Sequence, residues 1–455
     1  MNKKTIGTEP IYDARTLGAP RMIVLGFQHM FAMFGATVLV PTLTGLSVST
    51  TLLFAGLGTL LFHLLAKGKV PAFLGSSFAF LGGYAAIAPM LENPDAPGVF
   101  NVPNTELLPY ACFGVACAGL VYLVLSLLFK VFGVRKVMRF FPPIVTGPII
   151  IAIGLSLSSS AVNNCATSWP VALVAILVVI ICNIWGKGMI KIIPILLGVI
   201  ASYIVGAVSG QVDFTAVKEA AWIGLPVTWS ETVFGLFGSG NVDTAMLATA
   251  AITIIPISLA TMVEHIGDMC AISSTCGRNY IQDPGLHRTL LGDGLATSLA
   301  ALFGAPANTT YGENTGVLAL SKVYDPRVIR LAAVLAIIFS FCPKFAEIVH
   351  AMPTATIGGV SLVLYGMISA VGVRNVVENK VDFTKSRNVI IAALILVLAI
   401  GITYSSAGAV KIGAVSFSGL ATAAIVGIAL NAILPGKDYE FGADIQGDTS
   451  VNFKV

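Results

Sequence analysis

Charge is scarce in this sequence. Asp, Glu, Lys and Arg make up 11% of the 455 residues, whereas hydrophobic residues make up 56% and the mean hydropathy is +0.89. Soluble domains carry about 25% charged residues, because water must solvate their surface. A water-soluble fold could not cover this much apolar surface, so the composition predicts that lipid surrounds most of the chain.

Motifs for metal binding, disulfide pairing and catalysis are also lacking. The seven cysteines include no CxxC pair and no Cys/His ligand spacing, and most lie within apolar runs. The sequence contains nothing that resembles a nucleophile with its base. We therefore expect free buried thiols, no metal, no cofactor and no enzyme activity. The formal net charge of +4 comes from basic residues between the apolar runs, so nucleic acid is not an expected partner.

Long apolar runs make up most of the chain. They are continuous, as in residues 171–181 and 390–402, rather than alternating with a period of two. Lipid permits only helices or closed barrels, because each backbone polar group needs a partner, and continuous runs favour helices. The sequence predicts an all-α membrane protein with fourteen transmembrane segments, which start near residues 22, 51, 71, 108, 142, 170, 190, 244, 289, 309, 328, 353, 388 and 413.

The distribution of basic residues supports this count. If the N-terminus is cytoplasmic, all of the 26 Lys and Arg residues fall on the cytoplasmic side except Lys218, Lys344 and Lys411. Membrane proteins enrich positive charge on that side, and one extra or missing segment would scramble the pattern. We therefore expect a multi-pass protein of the cell's inner (plasma) membrane, with both termini in the cytoplasm.

Short echoes relate the two halves of the chain. The dipeptide at 28–29 is echoed at 264–265, and the one at 71–72 is repeated at 306–307, with nearly constant offsets. Seven segments per half is an odd number, so the second half must enter the membrane from the opposite side. Two inverted repeats are therefore predicted.

Segments 3 and 10 differ from the others. Residues 71–78 and 306–313 place helix-poor residues before a short apolar stretch. Each segment is predicted to be broken, with a short extended stretch followed by a half-helix whose first N–H groups face the bilayer midplane. Phe78 and Tyr311, one in each break, could cover the faces of a flat solute.

Three acidic residues lie within or beside apolar segments near these breaks: Glu264, Asp268 and Glu313. A carboxylate in hydrocarbon costs several kcal/mol, so such groups mark transport sites. Glu264 and Asp268 are four residues apart and share a helix face, where mutual repulsion would let one of them hold a proton. The three predict a proton-coupled site for a small polar solute, with a helix-end position facing cytoplasmic water as the alternative for Asp268. Asp293 is expected to be an interfacial or helix-pairing group.

Five stretches carry a resemblance to the nucleobase-ascorbate transporter family, also called nucleobase:cation symporters of the second type. Within that family the chain is most similar to the bacterial uracil permeases. The matching stretches are QHMFAMFGATVLVP at 28–41, GSSFAF at 75–80, EHIGD at 264–268, DPGLHR at 283–288 and NTTYGENTG at 308–316.

The resemblance implies two domains that move against each other like an elevator, in a homodimer embedded in membrane lipid. The core domain would comprise residues 22–138 (segments 1–4) and 244–350 (segments 8–11). The gate domain would comprise residues 139–243 (segments 5–7 and the outer connection) and 351–435 (segments 12–14). Residues 1–21 and 436–455 would be cytoplasmic tails.

The resemblance also implies the site. Glu264 would bind the uracil ring and Glu313 would hold it from segment 10, while Asp268, Glu264 and Glu313 would serve proton coupling. The other expected contacts to the nucleobase are Phe78, Tyr311, Gly312, Ser77, Ala36 and Tyr365.

Two positions depart from the family pattern, and the milder change is Ser321, where the signature of segment 10 usually ends in threonine. Asp268 stands where the uracil permeases carry a histidine implicated in proton coupling, and purine-transporting relatives have aspartate there. Glu313 favours the uracil branch. A uracil:proton symporter is the first hypothesis and a purine (xanthine or urate) symporter the second. An anion exchanger with the same inverted repeat is the third, although the acidic residues count against it.

Overall fold

The computed structural model describes residues 6–92, 94, 100–133, 136–137, 139–187, 190, 193–238, 240, 242–412 and 415–436. Within these ranges the side chains of residues 35, 36, 100, 101, 260, 263, 313, 378, 412, 415 and 416 are outside the description.

Helices form most of the described chain. In the first half they are α1 (Ala19–Thr44), α2 (Val48–Leu65), α3 (Leu81–Ile87), α4 (Leu108–Phe132), α5 (Pro143–Ser156), α6 (Ser158–Ala166), α7 (Trp169–Trp185), α8 (Pro194–Val208), α9 (Thr215–Glu219) and α10 (Val233–Gly238). In the second half they are α11 (Thr244–Ile254), α12 (Ser258–Cys276), α13 (Leu286–Leu302), α14 (Gly312–Ser321), α15 (Pro326–Ser340), α16 (Pro343–His350), α17 (Thr354–Glu378), α18 (Ser386–Thr403) and α19 (Gly419–Ile433).

Many of these helices suit a bilayer. Six stretches in the described chain are long and apolar enough to cross one: Ala19–Thr44, Val48–Leu65, Leu108–Phe132, Pro143–Ala166, Thr354–Val377 and Ser386–Thr403. Helices α15 and α16 pass the same test together, although they are bent by 86°. The shorter apolar helices are Phe78–Ile87, Trp169–Trp185, Pro194–Val208, Thr244–Ile257 and Gly419–Ile433. The coarse prediction of a helical membrane protein is confirmed, and the number of segments stays a prediction.

Short strands form three antiparallel pairs in the described chain. They are β1 (Leu74–Ser76) with β4 (Asn308–Thr310), β2 (Leu91–Glu92) with β3 (Phe100–Val102), and β5 (Ala409–Ile412) with β6 (Val415–Ser418). The first pair joins residues from the two halves of the chain and is fully buried. It positions the site described below.

Glycines allow two pairs of helices to cross closely. Where α4 crosses α13, a Cβ added to Gly119 would lie 2.7 Å from the carbonyl oxygen of Gly294, and a Cβ added to Gly294 would lie 2.7 Å from that of Gly119. Where α5 crosses α17, a Cβ on Gly372 would lie 2.7 Å from the carbonyl oxygen of Gly147. Small residues permit such approach in membranes, where packing replaces the hydrophobic effect between helices.

Candidate functional site

The site is built on the pairing of β1 with β4. Leu74 lies opposite Thr310, and Ser76 lies opposite Asn308. The Ser77 N–H donates to the Ala307 carbonyl at 2.8 Å, which extends the pairing by one residue. Extended backbone is stable at membrane depth only when its polar groups are paired, and here each strand satisfies the other.

Short helices follow both strands. A 3-10 turn at Phe78–Phe80 leads into α3, and α14 begins at Gly312 directly after β4 and Tyr311. The first N–H groups of a helix have no partner within the helix and carry a partial positive charge. Both starts lie close to the strand crossing. The first is buried and its Leu81 N–H donates to the Phe78 carbonyl, whereas the second is exposed at Gly312.

Gly75 lets a ring from the other half rest on β1. A Cβ at Gly75 would lie 2.6 Å from atoms of the Tyr311 ring and 2.6 Å from the Thr37 hydroxyl. The Tyr311 hydroxyl donates to the Ser76 carbonyl at 2.8 Å and accepts from Thr37 at 3.3 Å. The ring of Tyr311 is thus buried against the crossing, and one of its faces is covered by protein backbone.

Asp268 meets the start of the second half-helix. The Thr310 hydroxyl donates to Asp268 Oδ2 at 2.8 Å, and the other carboxylate oxygen would be 3.9 Å from a Cβ on Gly312. Among the described residues outside its chain neighbours and its own helix backbone, no other atom lies within 4 Å of that added Cβ, and Gly312 is solvent-exposed. Glu264 lies one helical turn before Asp268 on α12, and both residues are half-buried. An accessible space therefore adjoins the start of α14 beside a carboxylate.

Aromatic rings form another side of the site. The rings of Phe78 and Tyr365 meet edge to face, with centroids 5.7 Å apart and planes at 78°. Tyr365 comes from α17, and both side chains are buried. Ser77, just before Phe78, is buried as well.

The structure therefore brings together several of the residues predicted from sequence. Asp268 and Gly312 are neighbours, Phe78 contacts Tyr365, and Tyr311 lies across β1. The side chains of Ala36 and Glu313 are outside the described residues, although their backbones belong to α1 and α14.

Sequence reasoning missed several polar partners. The Thr310 hydroxyl donates to Asp268, a contact that the sequence did not indicate. The Asn314 amide donates to the His29 carbonyl at 3.0 Å, a contact between α14 and α1. His265 Nδ1 lies 3.1 Å from Asp293 Oδ2, and both side chains are fully buried. This last contact fits the expectation that Asp293 pairs helices. The related dipeptides at 28–29 and 264–265 each contain a histidine, but the sequence did not indicate which residues these two histidines contact.

Two cavities adjoin these elements. A cavity of about 140 Å³ borders Phe78 and is also lined by Ser156, Thr253, Thr403 and Ser418. A larger one of about 520 Å³ is apolar and includes none of the predicted site residues. It lies between α1, α8, α16 and α17, and its lining offers too few polar partners for the solute predicted from sequence. The smaller cavity is the one that reaches a predicted contact residue.

Comparisons with known proteins support a transporter. Residues 20–408 match the model of a family described as the Permease family. The uracil permease of Bacillus caldolyticus is 41% identical over 448 residues, which are 96% of each chain. The uracil permease of Bacillus subtilis is 39% identical and covers 94% of each chain, and that of Escherichia coli K12 is 36% identical and covers 90% of each.

Solved structures share the fold. The structure of SLC26A9 has a TM-score of 0.65 at 13% identity, with 93% of this chain aligned to 66% of that one. The transmembrane domain of the cyanobacterial bicarbonate transporter BicA has a TM-score of 0.54 at 16% identity, with 91% of this chain aligned to 99% of that one. At such identities the similarity shows a shared, mostly helical fold and nothing about the solute.

Proposed function

The chain belongs to the nucleobase-ascorbate transporter family, and from this premise we propose that it imports uracil by proton symport. The observation that carries the proposal is the accessible start of α14 at Gly312 beside the Asp268 carboxylate. Uracil presents ring N–H donors next to carbonyl acceptors. Carboxylates accept from such donors, and free N–H groups at a helix start donate to such acceptors.

Each predicted residue takes a role in this proposal. Glu264 accepts from the ring N–H groups, Glu313 holds the ring from α14, and Gly312 offers its backbone. Phe78 and Tyr365 cover the ring, together with Tyr311, Ser77 and Ala36. Asp268 is the first candidate to carry the coupled proton, because it lies one helical turn from Glu264. Binding of the nucleobase would change the repulsion between these two carboxylates, and with it their affinity for a proton.

The proposal includes an architecture and a movement. The chain would have fourteen segments in two inverted repeats, with core residues 22–138 and 244–350 moving against gate residues 139–243 and 351–435. It would form a homodimer in the inner membrane with cytoplasmic termini. The crossing of β1 with β4 between the halves supports the inverted repeat. The close pairings of α4 with α13 and of α5 with α17 support one pairing inside each domain.

Uptake into proteoliposomes tests the proposal directly. Purified protein is reconstituted, and accumulation of radiolabelled uracil is measured with and without an imposed inward proton gradient. We expect accumulation that depends on the gradient. No accumulation, or accumulation equal in both conditions, would refute uracil:proton symport.

A purine symporter is the second candidate, because Asp268 matches purine-transporting relatives at a position within bonding distance of the half-helix start. A competition panel separates the candidates. Excess xanthine should leave uracil uptake nearly unchanged under the first proposal and should abolish it under the second.

Anion exchange ranks third. The fold is shared with SLC26A9 and BicA, but Asp268 at the start of α14 would repel an anion from the positive end of that helix.

A further inference from the structure

The polypeptide before α1 is docked on the ends of the helices that form the site. We call residues 7–17 the N-terminal clasp. Its backbone pairs with the last residue of α14 and with the residue that follows it: the Gly7 N–H donates to Ser321 O at 2.9 Å, and the Ile11 N–H donates to Lys322 O at 2.8 Å. The Tyr324 N–H returns a bond to Ile11 O at 2.8 Å. The clasp therefore holds the C-terminal end of α14 by main-chain bonds that are independent of side chains.

Tyr12 joins the clasp to a second site helix. Its hydroxyl donates to the carbonyl of Cys276, the last residue of α12, at 2.8 Å. The Arg278 guanidinium lies 4.1 Å from the centroid of the Tyr12 ring. The Tyr12 side chain thus contacts the end of α12, the helix that carries Glu264 and Asp268. The backbone just before Tyr12 is hydrogen-bonded to the end of α14.

Charges and apolar contacts complete the docking. Arg327 Nη1 donates to Asp13 Oδ1 at 3.0 Å, and the Ala14 N–H donates to Asp325 Oδ2 at 2.7 Å. Ile11, Ala14 and Leu17 are buried in one cluster with Leu25, Val323 and Val328. All these contacts go to residues of the predicted core domain, so the clasp would travel with the core during transport.

The length of α14 gives these contacts their importance. It has ten residues, and isolated helices shorter than about 12–15 residues are marginal in water. Such a short helix takes its position from what holds its ends. Asp268 and Thr310 hold the start, and the clasp holds the end while also gripping α12.

We propose that the N-terminal clasp is a positioning element for substrate binding. It sets the spacing between α12 and α14, and thereby the distance between the carboxylates on α12 and the open start of α14. This inference rests on the proposed function. It assigns Tyr12 and Asp13, which lie outside the membrane and do not touch the solute, an effect on affinity for the solute.

Four variants and one matched control test the clasp in the full-length protein. Tyr12→Ala removes the contacts of the Tyr12 side chain, and Asp13→Asn removes the charge that pairs with Arg327. Tyr12→Phe removes only the bond to Cys276, and Asp13→Glu keeps the charge. Arg21→Ala is the control, because Arg21 is an exposed basic residue of α1 outside the clasp. Kd and KM for uracil, the maximal uptake rate in proteoliposomes and the melting temperature of the solute-free protein are measured for each.

We expect graded losses of affinity. Tyr12→Ala should raise Kd and KM about fivefold, since misplaced groups lose part of their bonds to the ring. Asp13→Asn and Tyr12→Phe should raise them about twofold to threefold, the scale of an exposed pair or one neutral hydrogen bond. Asp13→Glu and Arg21→Ala should match the wild type, and the maximal rate and melting temperature should stay unchanged throughout.

Different results identify different failures. Wild-type Kd and KM in Tyr12→Ala would overturn the clasp proposal, and so would an equal rise in Arg21→Ala. A fall in melting temperature and maximal rate in step with affinity would also overturn it, because the clasp would then serve only stability. Absence of uracil binding by the wild-type protein would refute the proposed function instead. The same variants would then be measured with the nucleobase that does bind.

Discussion

The segments that cross at β1 and β4 share a backbone plan and differ in their side chains. Both have a three-residue strand followed by a short helix. The first segment brings Phe78, which borders a cavity and packs on Tyr365. The second brings Thr310, Tyr311 and a helix start that faces Asp268. The two segments therefore share a backbone arrangement, and the polar contacts described here are concentrated on the second.

Removing the negative charge of Glu264 should have the largest effect on uracil binding. Glu264→Gln should weaken uracil binding on the order of 100-fold, because an amide offers one acceptor oxygen where the carboxylate offers two with charge. Isothermal titration with uracil measures the loss. The control is Glu106→Gln, an exposed acid before α4, which should bind normally. Normal binding by Glu264→Gln would remove Glu264 from the site.

An alanine substitution in each of the two segments distinguishes a glycine that is needed for packing from a glycine that is needed for solute binding. Gly75→Ala forces a Cβ to within 2.6 Å of Tyr311 and Thr37, so we expect a loss of about 1–3 kcal/mol in stability. In Gly312→Ala the nearest contact of the added methyl group with the described neighbouring elements is Asp268 Oδ1 at 3.9 Å, so stability should be kept while the methyl group lowers uracil affinity about tenfold, because it occupies the open helix start. Thermal unfolding and uracil titration are measured on both. A loss of stability in Gly312→Ala together with a loss of uracil affinity in Gly75→Ala would mean that Gly312 serves packing and Gly75 serves solute binding.

The acid beside Gly312 should matter more for coupling than for binding. Asp268→Asn keeps an acceptor oxygen for Thr310 but loses the ionisable group. We expect uracil Kd to change by no more than about threefold, the scale of a neutral for a charged partner, while stimulation by a proton gradient disappears. Uptake is compared at several imposed gradients. Undiminished stimulation would move the coupling role elsewhere, and Glu313→Gln would be examined next.

The hydroxyl of Tyr311 should contribute to the stability of the protein. Tyr311→Phe removes its bond to the buried Ser76 carbonyl, and we expect a loss of about 1 kcal/mol in unfolding free energy. Tyr404→Phe is a matched control, because its hydroxyl also donates to a carbonyl, that of Ser156, but from an exposed side chain. Water can replace that bond, so thermal unfolding should change less. Equal losses in both variants would contradict the assignment.

Asp13, in the clasp before α1, should not shape the pH profile of uptake. The Arg15 side chain donates to Asp13 and lowers the pKa of Asp13 from 3.8 to about 2. A lowered pKa contributes stability above the unfolded value, and this is lost only as pH falls through about 2. Asp13 therefore stays ionised between about pH 5 and 8. The uptake profiles of Asp13→Asn and the wild type should run parallel there, whereas that of Asp268→Asn should be flatter.

The sequence predicts where helices begin better than it predicts the contacts between them. Helices α4 and α11 begin at Leu108 and Thr244, the residues where apolar runs follow polar connections, because the membrane makes hydropathy a strong local signal. The spacing of Glu264 and Asp268 put both on one helix. The Thr310 contact and the 86° bend before α16 depend on tertiary packing, which periodicity does not encode. The clasp was missed because its one basic residue, Arg15, was counted only as cytoplasmic charge.

The strand pair also bears on how such a chain could be divided. Each half contains three residues of extended backbone whose hydrogen-bond partners lie in the other half. A half-length fragment alone would expose those amides and carbonyls to hydrocarbon, at a cost of several kcal/mol for each group. Two fragments separated between α8 and α11 should therefore insert stably only when they are produced together, so complementation would depend on β1 finding β4.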